Sequence, residues 1–408
     1  MSGWGERRTA VVVALAAGLA FAALAVLVLP WHPVPGGSPP PVEARSLFTD
    51  AQLARAETYA RWSRVWGWSA LAVSLAVACA LGFSRWGRRL VDRLPGPWWV
   101  QAVLAVVLLG LLGRLATLPF SVAGYRHRLD YGLTTQSAVG FTADVVRSEL
   151  VGAVGTSIGV LALLAVARRW RRAWTVAAGL AMAALVVLGS FAYPLVVEPV
   201  FNHFEPLPDG ELRTEILRLA DAEGVPVEEV LVADASRRTT SLNAYVSGFG
   251  GTRRVVVYDT LVASLPQDQT LVVVAHELAH ARHDDVVVGT ALGALGAAAG
   301  VGVLGLLVGS RLNRGGARAS EAAVVPFVLA ALAVGTVLVS PVQAGVSRQI
   351  EARADVDALV ATRAPDAFVE VQRTLALRSI ADPIPPAWSQ WWWGSHPTVL
   401  ERVAVARR

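Results

Sequence analysis

Seven separate runs of this chain are long and apolar enough to cross a bilayer, and no other feature limits its fold so strongly. They lie at Ala10–Leu29, Val65–Phe83, Trp98–Leu118, Leu150–Ala167, Ala173–Tyr193, Val286–Gly309 and Ala322–Ala344. A helix needs ~20 residues to cross the hydrocarbon layer, and inside lipid every backbone amide must be satisfied within a helix or closed barrel. The sequence therefore predicts a mainly α, polytopic membrane protein with about seven transmembrane helices. Composition agrees: 54% of the 408 residues are hydrophobic, 16% are charged, and mean hydropathy is +0.50. The net charge of +5 comes from arginine, because the chain contains no lysine. The arginines cluster beside apolar runs and not along one face, which argues against a nucleic-acid partner. Cys79, the only cysteine, lies inside an apolar run, so disulfides within the chain are excluded. The first run follows Arg7 and Arg8 as a signal peptide would. Its core is longer than an ordinary signal core, and no clear small-x-small cleavage site precedes "HPVPGGSPPP", so we read it as a retained span.

Two regions, Val200–Asp285 and Gly345–Arg408, are polar enough to fold in water. The first opens with a helical pattern, "DGELRTEILRLADAEG", stopped by Gly224. Strand-like runs follow at Val230–Ala233, Asn243–Gly248 and Arg253–Asp259, predicting a small β-sheet. Ser264 with Gln267 reads as a capping box, with Pro266 in the first turn of the next helix. In the second region we expect helices near Ser347–Arg363, near Pro365–Arg378 and after Pro397.

That capped helix carries His276, Glu277 and His280 in the pattern H-E-x-x-H. Residues four apart share a helical face, so the two imidazoles can bind one Zn²⁺. Glu277, ~100° around the helix from His276, can serve as general base toward a water that zinc acidifies. A catalytic zinc takes three protein ligands. His283 and Val286 do not fit the metzincin continuation, and His283 reads better as a solvated loop residue beside Asp284 and Asp285. The better third ligand is Glu351 in "SRQIEARAD"; Asp355, one turn on, could fix the tautomer of a histidine ligand. Taken alone, Glu351 reads better as a surface helix charge paired with Arg348.

The segments "HELAH", "SRQIEARAD", "NAYVSGFGGTRRVVVYDTL" and "SHPTVLERV" together resemble the zinc-dependent CAAX prenyl protease 1 family and its HtpX-type relatives, which are integral membrane metalloendopeptidases. Similarity extends through "EPVFNHFEPLPDGELRTEIL" and "DASRRTTSLNAY" and weakly into "LPFSVAGYRHRLDYGLTTQS". The resemblance implies a gluzincin-like metalloprotease domain holding one Zn²⁺ per chain through His276, His280 and Glu351. Glu277 would be the base and Asp355 an acid beside the ligands. His396 would stabilise the oxyanion with Arg402 nearby, and Asn243 would lie on the edge strand that pairs with substrate. The implied partners are peptide or protein substrates associated with the membrane, together with the bilayer. CAAX-type processing and membrane-protein quality control compete as functions; a non-catalytic scaffold with a vestigial zinc site is the alternative from another class, and the intact Glu277 argues against it.

The division expected is a five-span membrane region over 1–199, a metalloprotease domain with the zinc-motif helix over 200–285, a membrane hairpin over 286–345, and a C-terminal part over 346–408 carrying the third ligand. "WSQWWW" (Trp388–Trp393) reads as an interfacial aromatic anchor. Arginines fill alternate loops: Arg7 and Arg8; Arg85, Arg88, Arg89 and Arg93; Arg168, Arg169, Arg171 and Arg172; Arg311, Arg314 and Arg318. The positive-inside rule then puts the N-terminus in the cytoplasm of a prokaryotic cell and both polar regions outside the plasma membrane. A topology reporter fused after Arg408 should report an extracytoplasmic end; activity confined to the cytoplasm would reverse this orientation.

Overall fold

The computed structural model describes residues 2–248, 250–312 and 316–408; Arg314, used in the topology argument, lies outside them. Seven helices among the described residues are long and apolar enough to span a membrane. They belong to an ordered series: α1 (Ser2–Val28), α2 (Asp50–Gly82), the short α3 (Arg85–Asp92), α4 (Trp98–Asp130), α5 (Ala138–Arg169), α6 (Trp174–Ala192) and the single turn α7 (Glu198–Phe201). After strand β1 (Phe204–Pro206) come α8 (Glu211–Ala222), β2 (Glu229–Ala233), β3 (Ala244–Ser247), β4 (Arg254–Tyr258), α9 (Asp259–Ser264) and α10 (Gln267–Arg282). The last spans are α11 (Asp285–Leu312) and α12 (Val325–Thr362), followed by α13 (Pro365–Ser379), α14 (Ala387–Trp393) and α15 (Val399–Ala406).

All seven expected spans are helices, and several run well past the apolar core. At 1.5 Å per residue the 38 residues of α12 extend ~57 Å, against ~30 Å of hydrocarbon. The helix expected separately near Ser347–Arg363 is therefore the continuation of the seventh span. No break separates the two because "PVQAGVSRQIEARADV" contains no helix stop after Pro341. α2 likewise starts at Asp50, where Thr49 and Gln52 form a capping box. Packing between spans relies on small residues. A Cβ on Gly302 of α11 would lie 2.4 Å from the Ala14 nitrogen of α1, and one on Gly82 of α2 would lie 2.2 Å from Ala330 Cβ of α12. Within the spans, Arg114 of α4 pairs with Glu149 of α5, Nε to Oε1 at 2.7 Å, so neither charge faces lipid alone.

Among the described residues the sheet has four strands in the order β1-β2-β4-β3. β2 and β4 are parallel, with Leu231 opposite Val256; β1 and β3 flank them antiparallel. β3 is thus an edge, and β1 is a strand the hydropathy pattern does not reveal. One sheet face packs Val255 and Val257 against α10, where Leu278, Val274, Ile216 and Phe368 close a buried core. Burying each such side chain contributes ~1.5–3 kcal/mol, which makes the motif helix a core element and not a surface one.

The expected cap of α10 differs. Ser264 ends α9, and Pro266 occupies the N-cap without a side-chain hydrogen bond. Pro266 pushes Leu265 into extended backbone (φ −102°, ψ 143°), and that breaks one expected helix start into two helices. The tryptophan stretch forms α14, whose Trp388 and Trp393 meet Trp68 of α2 while Trp392 Nε1 donates to the Val337 carbonyl. Replacing Gly302 with Leu should separate α1 from α11 and cost ~1–3 kcal/mol, read as a lower unfolding temperature in detergent. Gly296→Ala, where no atom lies within 4 Å of an added Cβ, is the control; equal effects would refute close packing at Gly302.

Candidate active site

α10 and α12 cross so that the motif face of one meets the polar end of the other. The rings of His276 and His280 stand nearly perpendicular (86°) with centroids 4.9 Å apart. Their Nε2 atoms are 3.3 Å apart. Glu351 Oε2 lies 3.1 Å from His276 Nε2, and Glu351 Oε1 lies 3.6 Å from His280 Nε2. Ligand atoms ~2.0–2.1 Å from a tetrahedral zinc stand about 3.3–3.5 Å from one another, so these three side chains have the spacing of a zinc site. All three donor atoms also fall within 4.8 Å of each other.

The opposite ring edges strengthen this fit. His276 Nδ1 faces Asp355 Oδ1 at 3.0 Å, in a contact bent away from hydrogen-bond alignment. His280 Nδ1 meets Asp285 Oδ2 at 2.9 Å. Each carboxylate is backed by an arginine. Arg402 of α15 grips Asp355 in two-pronged fashion, Nε to Oδ2 at 2.8 Å, and Arg353 of α12 bonds Asp285 Oδ1. With both Nδ1 atoms turned to carboxylates, the rings in their neutral form would present their Nε2 lone pairs to one point, where a metal cation fits. The same surroundings attract charge at His276. Burial opposes its protonation, yet Asp355 and Glu351 outweigh burial and hold its pKa up to about 9.

Glu277 lines the same cavity, a space of about 520 Å³ bounded by Asn243, Ala244, Tyr245 and Val246 on the sheet side. Burial raises the Glu277 carboxyl above the usual range, with His276 and His280 opposing the rise. His396, between α14 and α15, brings Nε2 to 3.3 Å from Glu351 Oε2, and Ser395 Oγ contacts its Nδ1 at 2.8 Å. Part-burial lowers the His396 pKa against the pull of Glu351. Asn243 sits at the mouth of the cavity beside β3, its carbonyl accepting from Tyr258 N at 3.0 Å. Arg402 is spent on Asp355 and lies behind the histidines. His283 is not a free loop residue; its Nε2 contacts Asp357 Oδ2 at 2.7 Å. Arg348 does not pair with Glu351 but donates to the Gln390 and Gly394 carbonyls.

Asp285 and Arg353 are the participants that motif reasoning passes over. Asp285 follows the left-handed Asp284 (φ +52°), the reversal that turns its carboxylate back onto His280. The only signal in the sequence is an acid five residues after His280.

Comparison with known proteins matches the geometry. The model of peptidase family M48 covers residues 206–408, and the model for the CAAX prenyl protease N-terminal region, five membrane helices, covers 36–203. A Bacillus subtilis protein named as an uncharacterized metalloprotease, YhfN, is 30% identical over 315 residues, 76% of this chain and 74% of its own. The chain belongs to peptidase family M48. CAAX prenyl protease 1 of Saccharomyces cerevisiae is 40% identical over 102 residues, and a homologue in Arabidopsis thaliana 44% over 89. Those two matches span 22% and 21% of the relatives' lengths. The crystal structure of Saccharomyces mikatae Ste24p shares the fold over 98% of this chain and 99% of its own, with TM-score 0.80 at 19% identity. This M48 protein is an integral, multi-pass membrane metalloendopeptidase with zinc as its cofactor. Removing zinc with a chelator should abolish peptide cleavage, and Asp285→Asn should weaken zinc binding ~10–100-fold in a chelator-competition assay. Unchanged affinity would deny Asp285 a part in orienting His280.

Proposed function

We propose that the chain cleaves membrane-associated peptides and proteins, with His276, His280 and Glu351 holding one zinc. The observation that carries this reading is the convergence of those three donors at 3.1–3.6 Å beside Glu277, in a cavity walled by an edge strand. When bound, zinc polarises the scissile carbonyl and acidifies water. The chain's own groups do the rest. Glu277 takes the proton of the attacking water and passes it to the leaving amine; its raised pKa suits a group that must both accept and release. His396 donates a hydrogen bond to the oxyanion, with Ser395 steadying its ring. Asp355 and Arg402 hold His276 in its ligating tautomer. Asn243 and β3 offer unpaired backbone groups to an extended substrate.

Val286 and Val287 line the same cavity at the first turn of α11, half exposed at 50% and 48%, where the sixth span begins. That position supports substrates carried by the bilayer. The names of the yeast and plant relatives support CAAX-type prenyl-protein processing as the form of cleavage. The arginine-rich alternate loops support a cytoplasmic N-terminus and an extracytoplasmic cavity in a prokaryotic plasma membrane. Glu277→Gln should keep zinc but lose ~10²–10⁴-fold in kcat on a quenched peptide in detergent. Wild-type turnover by that variant would sink the reading. Membrane proteomes of cells carrying it should accumulate the natural substrates.

A further inference from the structure

His396 lines the metal chamber from a short link between α14 and α15, and its side chain is 56% exposed. Ser395 Oγ and Glu351 Oε2 touch only its ring, so neither fixes its backbone. Two other side chains do. Gln390 Nε2 reaches forward from α14 and donates to the His396 carbonyl at 2.7 Å. Arg348 Nη1, from α12, donates to the Gln390 carbonyl at 3.0 Å and to the Gly394 carbonyl at 2.6 Å. Those carbonyls lie in the last turn of α14 and at its C-cap, so one guanidinium closes that helix and ties the link to α12. A Cβ on Gly394 would collide with the Gln390 side chain, so the link folds tightly beneath that amide. Trp392 Nε1 binds the same helix to α12 a second time, at the Val337 carbonyl.

Arg348 stands one turn before Glu351 on α12. A single rigid helix thus carries both the third zinc donor and the side chain that holds the link bearing His396. The 3.3 Å between His396 Nε2 and Glu351 Oε2 is set across that one turn.

We infer that Arg348, acting with Gln390, is a positioning residue for His396: it fixes where the ring stands over the metal chamber, and so whether Nε2 reaches the oxyanion. This deepens the peptidase reading above and rests on it. A preorganised donor works only at the place where charge develops, and displacing such a group by ~1 Å can cost ~10²-fold in rate. The test measures kcat and KM on a quenched peptide, with the zinc-loaded full chain in detergent, for Arg348→Gln, His396→Ala and the double variant. Arg348→Gln should lower kcat ~10–100-fold and leave KM, zinc content and unfolding temperature near wild type. Added to His396→Ala, the same change should cost nothing more, because groups that act as one unit lose their effect together. Arg348→Lys keeps a donor on α12 and should recover part of the lost kcat. Should Arg348→Gln not fold, Gln390→Ala, which cuts the same link from its other side, takes its place in both comparisons. Wild-type kcat in the single variant, or losses that multiply in the double variant, overturn the positioning role while the peptidase reading stands. Wild-type kcat in His396→Ala removes the oxyanion role and this inference with it. If Glu277→Gln cleaves the peptide as wild type does, the peptidase reading itself fails.

Discussion

Two imidazole nitrogens held 3.3 Å apart, each ring anchored from behind by a carboxylate, set the terms for everything around them. Lone pairs aimed at one point repel unless a cation sits between, so the protein must hold the rings rigidly against that repulsion. It does so with two matched relays, His276 to Asp355 to Arg402 and His280 to Asp285 to Arg353. The four supporting groups come from α15, α12 and the start of α11, which couples the C-terminal helices to the motif helix. Removing one member of a buried charged set leaves its partner uncompensated, a cost of ~3–5 kcal/mol, so the relays also fasten these elements together.

The membrane helices make that convergence possible. Glu351 stands 75 positions beyond His276, and the intervening chain leaves and returns as the α11–α12 pair. Because α12 continues as an unbroken helix past the apolar layer, it delivers Glu351, Arg353 and Asp355 on a rigid rod and not on a loop. Each turn of that rod contributes a group: Glu351 and Asp355 face His276, while Arg353 faces Asp285. Close glycine contacts at Gly302 and Gly82 fix the rods against α1 and α2, so membrane packing also sets ligand geometry. The loop before α2 adds a further tie, with Arg373 of α13 donating to the Leu47 carbonyl.

Much of this was legible in the residues. The spans declared themselves by length and hydropathy, and the three longer strands and α8 by period and stop signals. His276, His280 and Glu351 were found from spacing and resemblance, and they are brought together. The chain carries further local signals: Thr49 with Gln52 and Thr398 with Glu401 are capping boxes that mark the starts of α2 and α15. β1 could not be seen, because three residues give no period. Ser264 misled because the cap pattern S-x-x-Q also occurs where a helix ends before a proline.

The sequence by itself determined the class of protein and its chemistry. Twenty-residue apolar runs have no stable alternative in lipid, and two histidines four apart must share a helical face. Only the tertiary structure decided which acids serve which histidine. Asp285 reaches His280 through the left-handed turn at Asp284, and Arg402 reaches Asp355 from 47 positions away. Those choices depend on the crossing of α10, α11, α12 and α15, which is set by packing among distant segments and not by any local period.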